Sequence, residues 1–368
     1  MEGILSLILT LYSLLMVYYH HSLKKLLKSV KNEVAYNFSV DVVIVFRNEE
    51  GNLPNLLRDL DKLSFTDCPC IFHFINDHST DKGGEMIDRF IENSPLEIRH
   101  YKLLSSLGKK AAIQFVLPKL SSDWILFTDA DCKLQKDWIT SFVQKIAENP
   151  GAECVLGPVA LTGEESVFHQ LQRLEFMSLQ ASTAASCLTR NPIMSNGANW
   201  MVKRLVYLEV VESIKGGIAS GDDMFVLHAI KKRSPDKIVY NGVMEAVVKT
   251  SVSNLLTDFW QQRMRWTAKS KYYKDFTTIV ISTLVLAANL SVIMALVLVW
   301  STTGLVWFIL AKLGSEFLVL QRYANYYEER DLLKVFPLLS ILYPLYIILI
   351  VGSAIFVKFQ WKGRSYKA

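Results

Sequence analysis

The chain has 368 residues, 51% hydrophobic and 20% charged, with a formal net charge of +5. That length admits one large or two ordinary domains, and the small positive charge comes without a basic stripe interleaved with aromatics, which argues against nucleic-acid binding. The five cysteines (Cys68, Cys70, Cys132, Cys154 and Cys187) include no C-x-x-C pair and suit reduced thiols rather than a disulfide framework.

The hydrophobic excess is localised. Residues 1–19 form an apolar run of roughly membrane-spanning length, and further runs cover about 277–300, 302–320 and 335–357. A cleaved signal peptide is the alternative for the first run, but its start carries no basic residue and no small-x-small site follows. Lys24, Lys25, Lys28 and Lys31 come directly after it, so the positive-inside rule places the stretch that follows in the cytoplasm. The expected organisation is an N-terminal transmembrane helix over 1–20, a cytoplasmic domain over 21–275, and C-terminal membrane segments over 276–368.

Within the charged stretch, Val40 to Phe46 is a β-branched run that ends at Arg47-Asn48-Glu49-Glu50-Gly51-Asn52 and precedes a helical pattern. Cys70 to Ile75 ends at Asn76-Asp77-His78-Ser79-Thr80-Asp81 before a helical MIDRFI, and Asp123 to Thr128 ends at Asp129-Ala130-Asp131. Apolar strands alternating with helices predict an α/β fold with a mainly parallel sheet. In such sheets ligands bind at the carboxyl ends of the strands, so the three polar clusters are expected in one crevice. Further on, Glu153 to Leu161 reads as a strand, Ser166 to Thr189 as a helix, and 252–262 as an amphipathic helix with Val252, Leu255, Leu256, Phe259 and Trp260 on one face, suited to a membrane interface.

Asp129-Ala130-Asp131 sets two carboxylates at i and i+2 on the exit of a wholly apolar strand. Mg²⁺ or Mn²⁺ takes oxygen ligands, commonly one or two carboxylates with substrate phosphates; taken alone, such a pair is more often a turn or cap. A haloacid-type phosphatase would continue D-x-D-x-T, whereas this chain continues Cys132-Lys133. Asn76-Asp77 reads either as a nucleoside contact or as an Asx-turn. Lys109 and Lys110 sit at a helix start after Gly108, where an ammonium meets a phosphate or simply solvent. Asp222 and Asp223 follow Gly216-Gly217 and Gly221 and open an apolar helix, as a cap or as a general base. Gln262-Arg263-Met264-Arg265-Trp266 combines permanently charged forks with a flat indole face, fit either for a diphosphate and a sugar or for a membrane-interface belt.

Together and in this order, VDVVIVFRNEEGN, FINDHSTD, LGKKAA, FTDADC, SNGANWMVKR, SGDDMF and QRMRW resemble the motifs of a membrane-bound family 2 glycosyltransferase with a GT-A fold, of the ceramide glucosyltransferase-like or polysaccharide-synthase-like kind. The resemblance spans about residues 40–266. It implies an inverting enzyme with a nucleotide-sugar donor, usually a UDP-sugar, and a Mg²⁺ or Mn²⁺ cofactor held by Asp129 and Asp131. It assigns Glu49, Asp77, Lys109, Asp129, Asp131, Gln262, Arg265 and Trp266 to the donor, Asp223 and Arg265 to catalysis, and Gly197, Asn199, Asp222 and Trp266 to the acceptor side. The chain departs from the family pattern at Asn76, where an aspartate is usual, at His78, where glycine is usual, and at Asp222, where glutamate is usual.

Membrane segments imply a lipid acceptor or an extruded polymer; the small number of runs favours one-step transfer to a lipid hydroxyl. Three C-terminal spans would put the C-terminus outside, yet Lys358, Lys362, Arg364 and Lys367 favour the inside. The 302–320 run, with Lys312 and Glu316 at i and i+4, or a kink at Pro337 and Pro344, offers a way out of that conflict.

Overall fold

A seven-stranded mixed sheet organises the catalytic part of the chain in the computed structural model, which describes residues 2–26, 38–64, 68–104, 107–211, 222–298, 303–356, 359–361 and 364–366. These fall into two compact units: one of residues 27–160 and 190–251, the other of residues 1–26, 161–189 and 252–368.

The first unit is built on β1 (Val40–Phe46), β2 (Cys70–Asn76), β3 (Glu97–Lys102), β4 (Trp124–Asp129) and β5 (Cys154–Leu156). A short β6 (Val159–Thr162) follows, then β7 (Trp200–Lys203), β8 (Ile238–Tyr240) and β9 (Val248–Ser251). The sheet order is β3-β2-β1-β4-β7-β5-β8. β1 pairs in parallel with β2 and β4, and β7 runs antiparallel between β4 and β5. β1 and β4 are apolar because both faces of a parallel sheet are covered. The helix Leu53–Leu60 buries Leu53, Leu56, Leu57 and Leu60, an i, i+3, i+4, i+7 stripe, and carries Pro54 in its first turn, where a missing N–H costs nothing.

Two sequence expectations change. Glu153 to Leu161 is two strands rather than one, broken at Gly157-Pro158. A Cβ on Gly157 would lie 2.5 Å from the Asn199 amide nitrogen and 2.7 Å from Phe142, so only glycine passes there. The amphipathic helix spans Leu256–Ala268 instead of 252–262. Val252 and Ser253 stay outside it because the Val252 amide donates to the Thr162 carbonyl (2.9 Å), while the Gln172 side chain accepts from the Ser253 amide (3.0 Å) and donates to its carbonyl (2.9 Å).

The second unit is helical: Glu2–Ser22, Val167–Leu188, Leu256–Ala268, Phe276–Leu298, Thr303–Tyr326 and Phe336–Phe356, with a terminal hairpin of β10 (Phe359–Trp361) and β11 (Arg364–Tyr366). Among the described residues, Glu2–Lys25, Phe276–Val297 and Arg330–Phe356 are long and apolar enough to cross a membrane. The 302–320 run, expected as a further membrane segment, forms the helix Thr303–Tyr326 and lies outside that set. Its Lys312 is only 2% exposed and donates to Glu316 Oε1 (2.7 Å), which also accepts from the Tyr12 hydroxyl (2.7 Å). Paired in this way, buried charges avoid the cost of standing alone in an apolar setting. Lys28, Lys31, Gly216, Gly217 and Gly221 lie outside the described residues.

Candidate active site

The polar clusters at the ends of β1 and β2 form one braced corner. Arg47 donates to the carbonyls of Asp77 and His78 (3.0 Å each), and Asn48 Oδ1 accepts from the Thr80 amide (2.8 Å). The Glu50 amide donates to Asp81, and the Lys82 amide to Glu50 (2.8 Å each). Asn76 Oδ1 accepts from the Ser79 amide three residues on (2.7 Å), so this side chain braces the turn after β2. His78 has φ 59°, the left-handed backbone that glycine adopts without penalty, which explains why the motif elsewhere carries glycine there. Glu49 is buried and accepts from Asn52 (2.7 Å).

Asp77 is buried too, and it connects this corner to the next element. Its Oδ1 accepts from the Gly108 amide (3.0 Å) and lies 3.2 Å from His78 Nδ1. Gly108 has φ 95°, ψ 163°, a conformation essentially reserved for glycine, and it caps the helix Lys109–Val116. That turn sets Lys109 at the first helical position.

Lys109 is the centre of the site. Its ammonium bonds the Asp129 carboxylate at the end of β4 and the Gly197 carbonyl (3.3 Å). A Cβ built on Gly197 would lie 3.5 Å from Lys109 Nζ and 3.6 Å from the Asp223 carboxylate. Lys109, Asp129, Gly197 and Asp223, dispersed over more than a hundred residues of sequence, therefore converge on one point. Asp223 is half-buried on the helix Asp222–Arg233; the side chain of Asp222 lies outside what the structure describes.

Asp131 is exposed, and one of its oxygens accepts from the Thr250 hydroxyl (3.1 Å) on β9. No group of three or more His, Cys, Asp or Glu that would hold a metal gathers among the described residues. The exposed Asp131 and the half-buried Asp129, the latter paired with Lys109, instead fit a hard cation that completes its oxygen shell with a substrate diphosphate. The adjacent Cys132 does not compete as a soft ligand: burial, then the nearby Asp131 and Asp129, push its thiol well above the ordinary range, so it stays protonated.

Asn199, expected on the acceptor side, is a structural residue instead. It is buried, accepts from the Trp138 indole (2.9 Å) and donates to the carbonyls of Pro158 (2.7 Å) and Ala246 (2.8 Å). Its amide is thus spent on joining three segments, which keeps it from meeting an acceptor.

In the helical unit, Gln262, Arg265 and Trp266 lie on the helix Leu256–Ala268, partly buried. The intervening Arg263 is 2% exposed and pairs with Glu175 of the helix Val167–Leu188 (2.6 Å). It does not snorkel to an interface. Arg263 stood in the sequence only as one of two charged forks beside Gln262 and Trp266, and Glu175 did not stand out; the available signal was a single acid in the apolar stretch Leu174 to Leu179.

A mainly parallel sheet with acids at its strand ends and a glycine-capped lysine helix has the GT-A fold. Residues 41–210 match the family model described as glycosyl transferase family 2. This part of the chain is thus similar to the family 2 glycosyltransferases. It is 22% identical over 223 residues to the poly-β-1,6-N-acetyl-D-glucosamine synthase of Staphylococcus aureus strain MSSA476, covering 60% of this chain and 51% of that protein. The Staphylococcus epidermidis synthase is 21% identical over 247 residues, covering 64% and 56%. The chain thus spans about half the length of the curated relatives it matches. A mannosyltransferase from Pyrobaculum calidifontis, solved with GDP-Man and Mn²⁺, shares the fold with TM-score 0.60 over 94% of this chain and 99% of that one, at 14% identity.

Proposed function

We propose that this glycosyltransferase moves a sugar from a nucleotide-sugar, with UDP as the expected nucleotide, to the hydroxyl of a membrane lipid at the cytoplasmic face, with inversion. The observation that carries this reading is the convergence of Lys109, Asp129, Gly197 and Asp223. A lysine held between a carboxylate and a backbone carbonyl suits a diphosphate, and the Asp223 carboxylate, also beside Gly197, suits an incoming hydroxyl. The acceptor oxygen attacks the anomeric carbon, the bond from that carbon to the diphosphate oxygen breaks, and the hydroxyl proton passes to Asp223. The nucleoside diphosphate leaves, and a single displacement inverts the centre. Bound Mg²⁺ or Mn²⁺ supplies positive charge against the diphosphate, with Asp131 and Asp129 as the residues that would hold it. Gln262, Arg265 and Trp266 serve the diphosphate and the acceptor, Arg265 countering charge on the leaving group.

Apolar helices at both ends of the chain support a lipid acceptor. A polymer product is the second reading, favoured by the names of the two staphylococcal relatives. A melting-temperature screen over nucleotide-sugars with Mn²⁺ tests the donor, since binding stabilises the native state by mass action. Stabilisation by one donor class, with release of its nucleoside diphosphate, is expected; no response to any donor would sink the reading. Mass analysis of lipid products then separates one added sugar from a ladder.

A further inference from the structure

Arg263 directly follows Gln262 on the helix Leu256–Ala268 and precedes the Arg265-Trp266 pair. Its Nη2 donates to Glu175 Oε2 (2.6 Å), and its Nε lies 3.1 and 3.3 Å from the two oxygens of the same carboxylate. Its remaining arm, Nη1, donates to the side-chain oxygen of Gln262. The guanidinium is also stacked between two rings, 4.6 Å from the centroid of Phe259 and 4.3 Å from that of Trp266. Glu175 in turn accepts from the Tyr346 hydroxyl (3.4 Å) on the helix Phe336–Phe356.

An arginine has five donors and no acceptor, so the atom of Gln262 that faces it is the carbonyl oxygen whichever way the amide is drawn. The edge of Gln262 left to offer is its NH₂, a double donor. A diphosphate oxygen is an acceptor and needs that edge. The same guanidinium fixes the plane of the Trp266 indole by stacking, and the buried Glu175 fixes the guanidinium by charge and by its two oxygens.

We infer that Arg263, held by Glu175, is a positioning residue for transfer: it presets Gln262 as a hydrogen-bond donor and Trp266 as a flat face. This rests on the assignment of Gln262 to the donor diphosphate made above. A lysine at 263 keeps the charge beside Glu175 but has no planar fork to serve Gln262 and the carboxylate together.

The test uses full-length protein in detergent, with UDP-N-acetylglucosamine and GDP-mannose plus Mn²⁺ as probes, reading nucleoside diphosphate release and melting temperature. Arg263→Lys is expected to melt near the parent, yet to lose about 10- to 100-fold in kcat with a raised donor KM, the scale of a small misplacement at a reacting centre. A parent-like kcat at an unchanged melting temperature overturns the inference. Should that variant fail to fold, Gln262→Glu decides: its carboxylate still accepts from Arg263 but the NH₂ edge is gone, so activity should fall as far as in Gln262→Ala. Loss in Gln262→Ala beside parent-like Gln262→Glu refutes the preset donor alone. Parent-like Gln262→Ala refutes the functional assignment of Gln262 itself, and the inference falls with it.

Discussion

At the scale of single residues, the proposed chemistry turns on Asp223 and its surroundings. Asp223→Asn keeps size and shape but cannot take the acceptor proton, so transfer should fall by about 10²- to 10⁴-fold with melting temperature unchanged, as measured by product formation. Equal activity would remove Asp223 from the mechanism. Gly197→Ala makes a sharper probe of geometry. The added methyl would meet Lys109 Nζ at 3.5 Å and the Asp223 carboxylate at 3.6 Å, ordinary contacts that leave the fold intact. It should therefore raise KM for donor or acceptor while stability stays within about 0.5 kcal/mol of the parent. The acids of this site were legible because carboxylates at the end of an apolar strand have no packing reason to be there. Asn199 and Arg263 were misread or passed over for the opposite reason: a polar side chain beside a motif looks functional, and only burial with filled hydrogen bonds shows that it is holding other groups in place.

At the scale of elements, one joint braces the crevice and a second ties the opposite end of the sheet. The first is the turn at Gly108, whose amide donates to Asp77. Gly108→Ala forces a Cβ into a backbone region that only glycine tolerates, at a cost of about 1–3 kcal/mol. A lowered melting temperature together with weakened donor binding would report that the turn places Lys109; donor binding equal to the parent would separate the two. The second joint is Asp41 on β1, whose carboxylate is fully buried between His73 Nε2 (2.8 Å) and the amides of Ser121 (2.9 Å) and Ser122 (2.8 Å). Burial opposes its charge, but the bonds from His73, Ser122 and Ser121 outweigh burial and hold Asp41 below the ordinary carboxylate range. A depressed carboxylate gives stability that is complete above its unfolded value, about 3.9, and is lost as pH falls through the folded value. Asp41→Ala should cost about 3–5 kcal/mol at neutral pH, and its melting temperature should approach that of the parent only as the pH falls from about 4 through the lower folded value. The strands β1, β2 and β4 were readable as β-branched runs, whereas β3, with its charged EIRHYK at the sheet edge, carries no apolar signal at all.

At the scale of the whole molecule, the arrangement of the membrane segments decides where the C-terminus lies. Two C-terminal helices reach the length and apolarity of a span. On the proposed cytoplasmic placement of the first unit, two crossings would return the chain to the same side, in keeping with Lys358, Lys362, Arg364 and Lys367 under the positive-inside rule. A cysteine placed at position 367 should then be labelled from the same side as one in the catalytic unit; labelling from the opposite side would mean an odd number of crossings. By itself the sequence determined the fold class, the apolar ends and the strand-end acids, because each is a local pattern of residue types. The tertiary structure alone decided that Asn199 is committed to the core, that Arg263 pairs with Glu175 some ninety residues away, and that Lys109 stands between Asp129 and Gly197. Hydrogen-bond saturation and the pairing of buried charge are properties of neighbours in space, and residues remote in the chain become neighbours only when it folds.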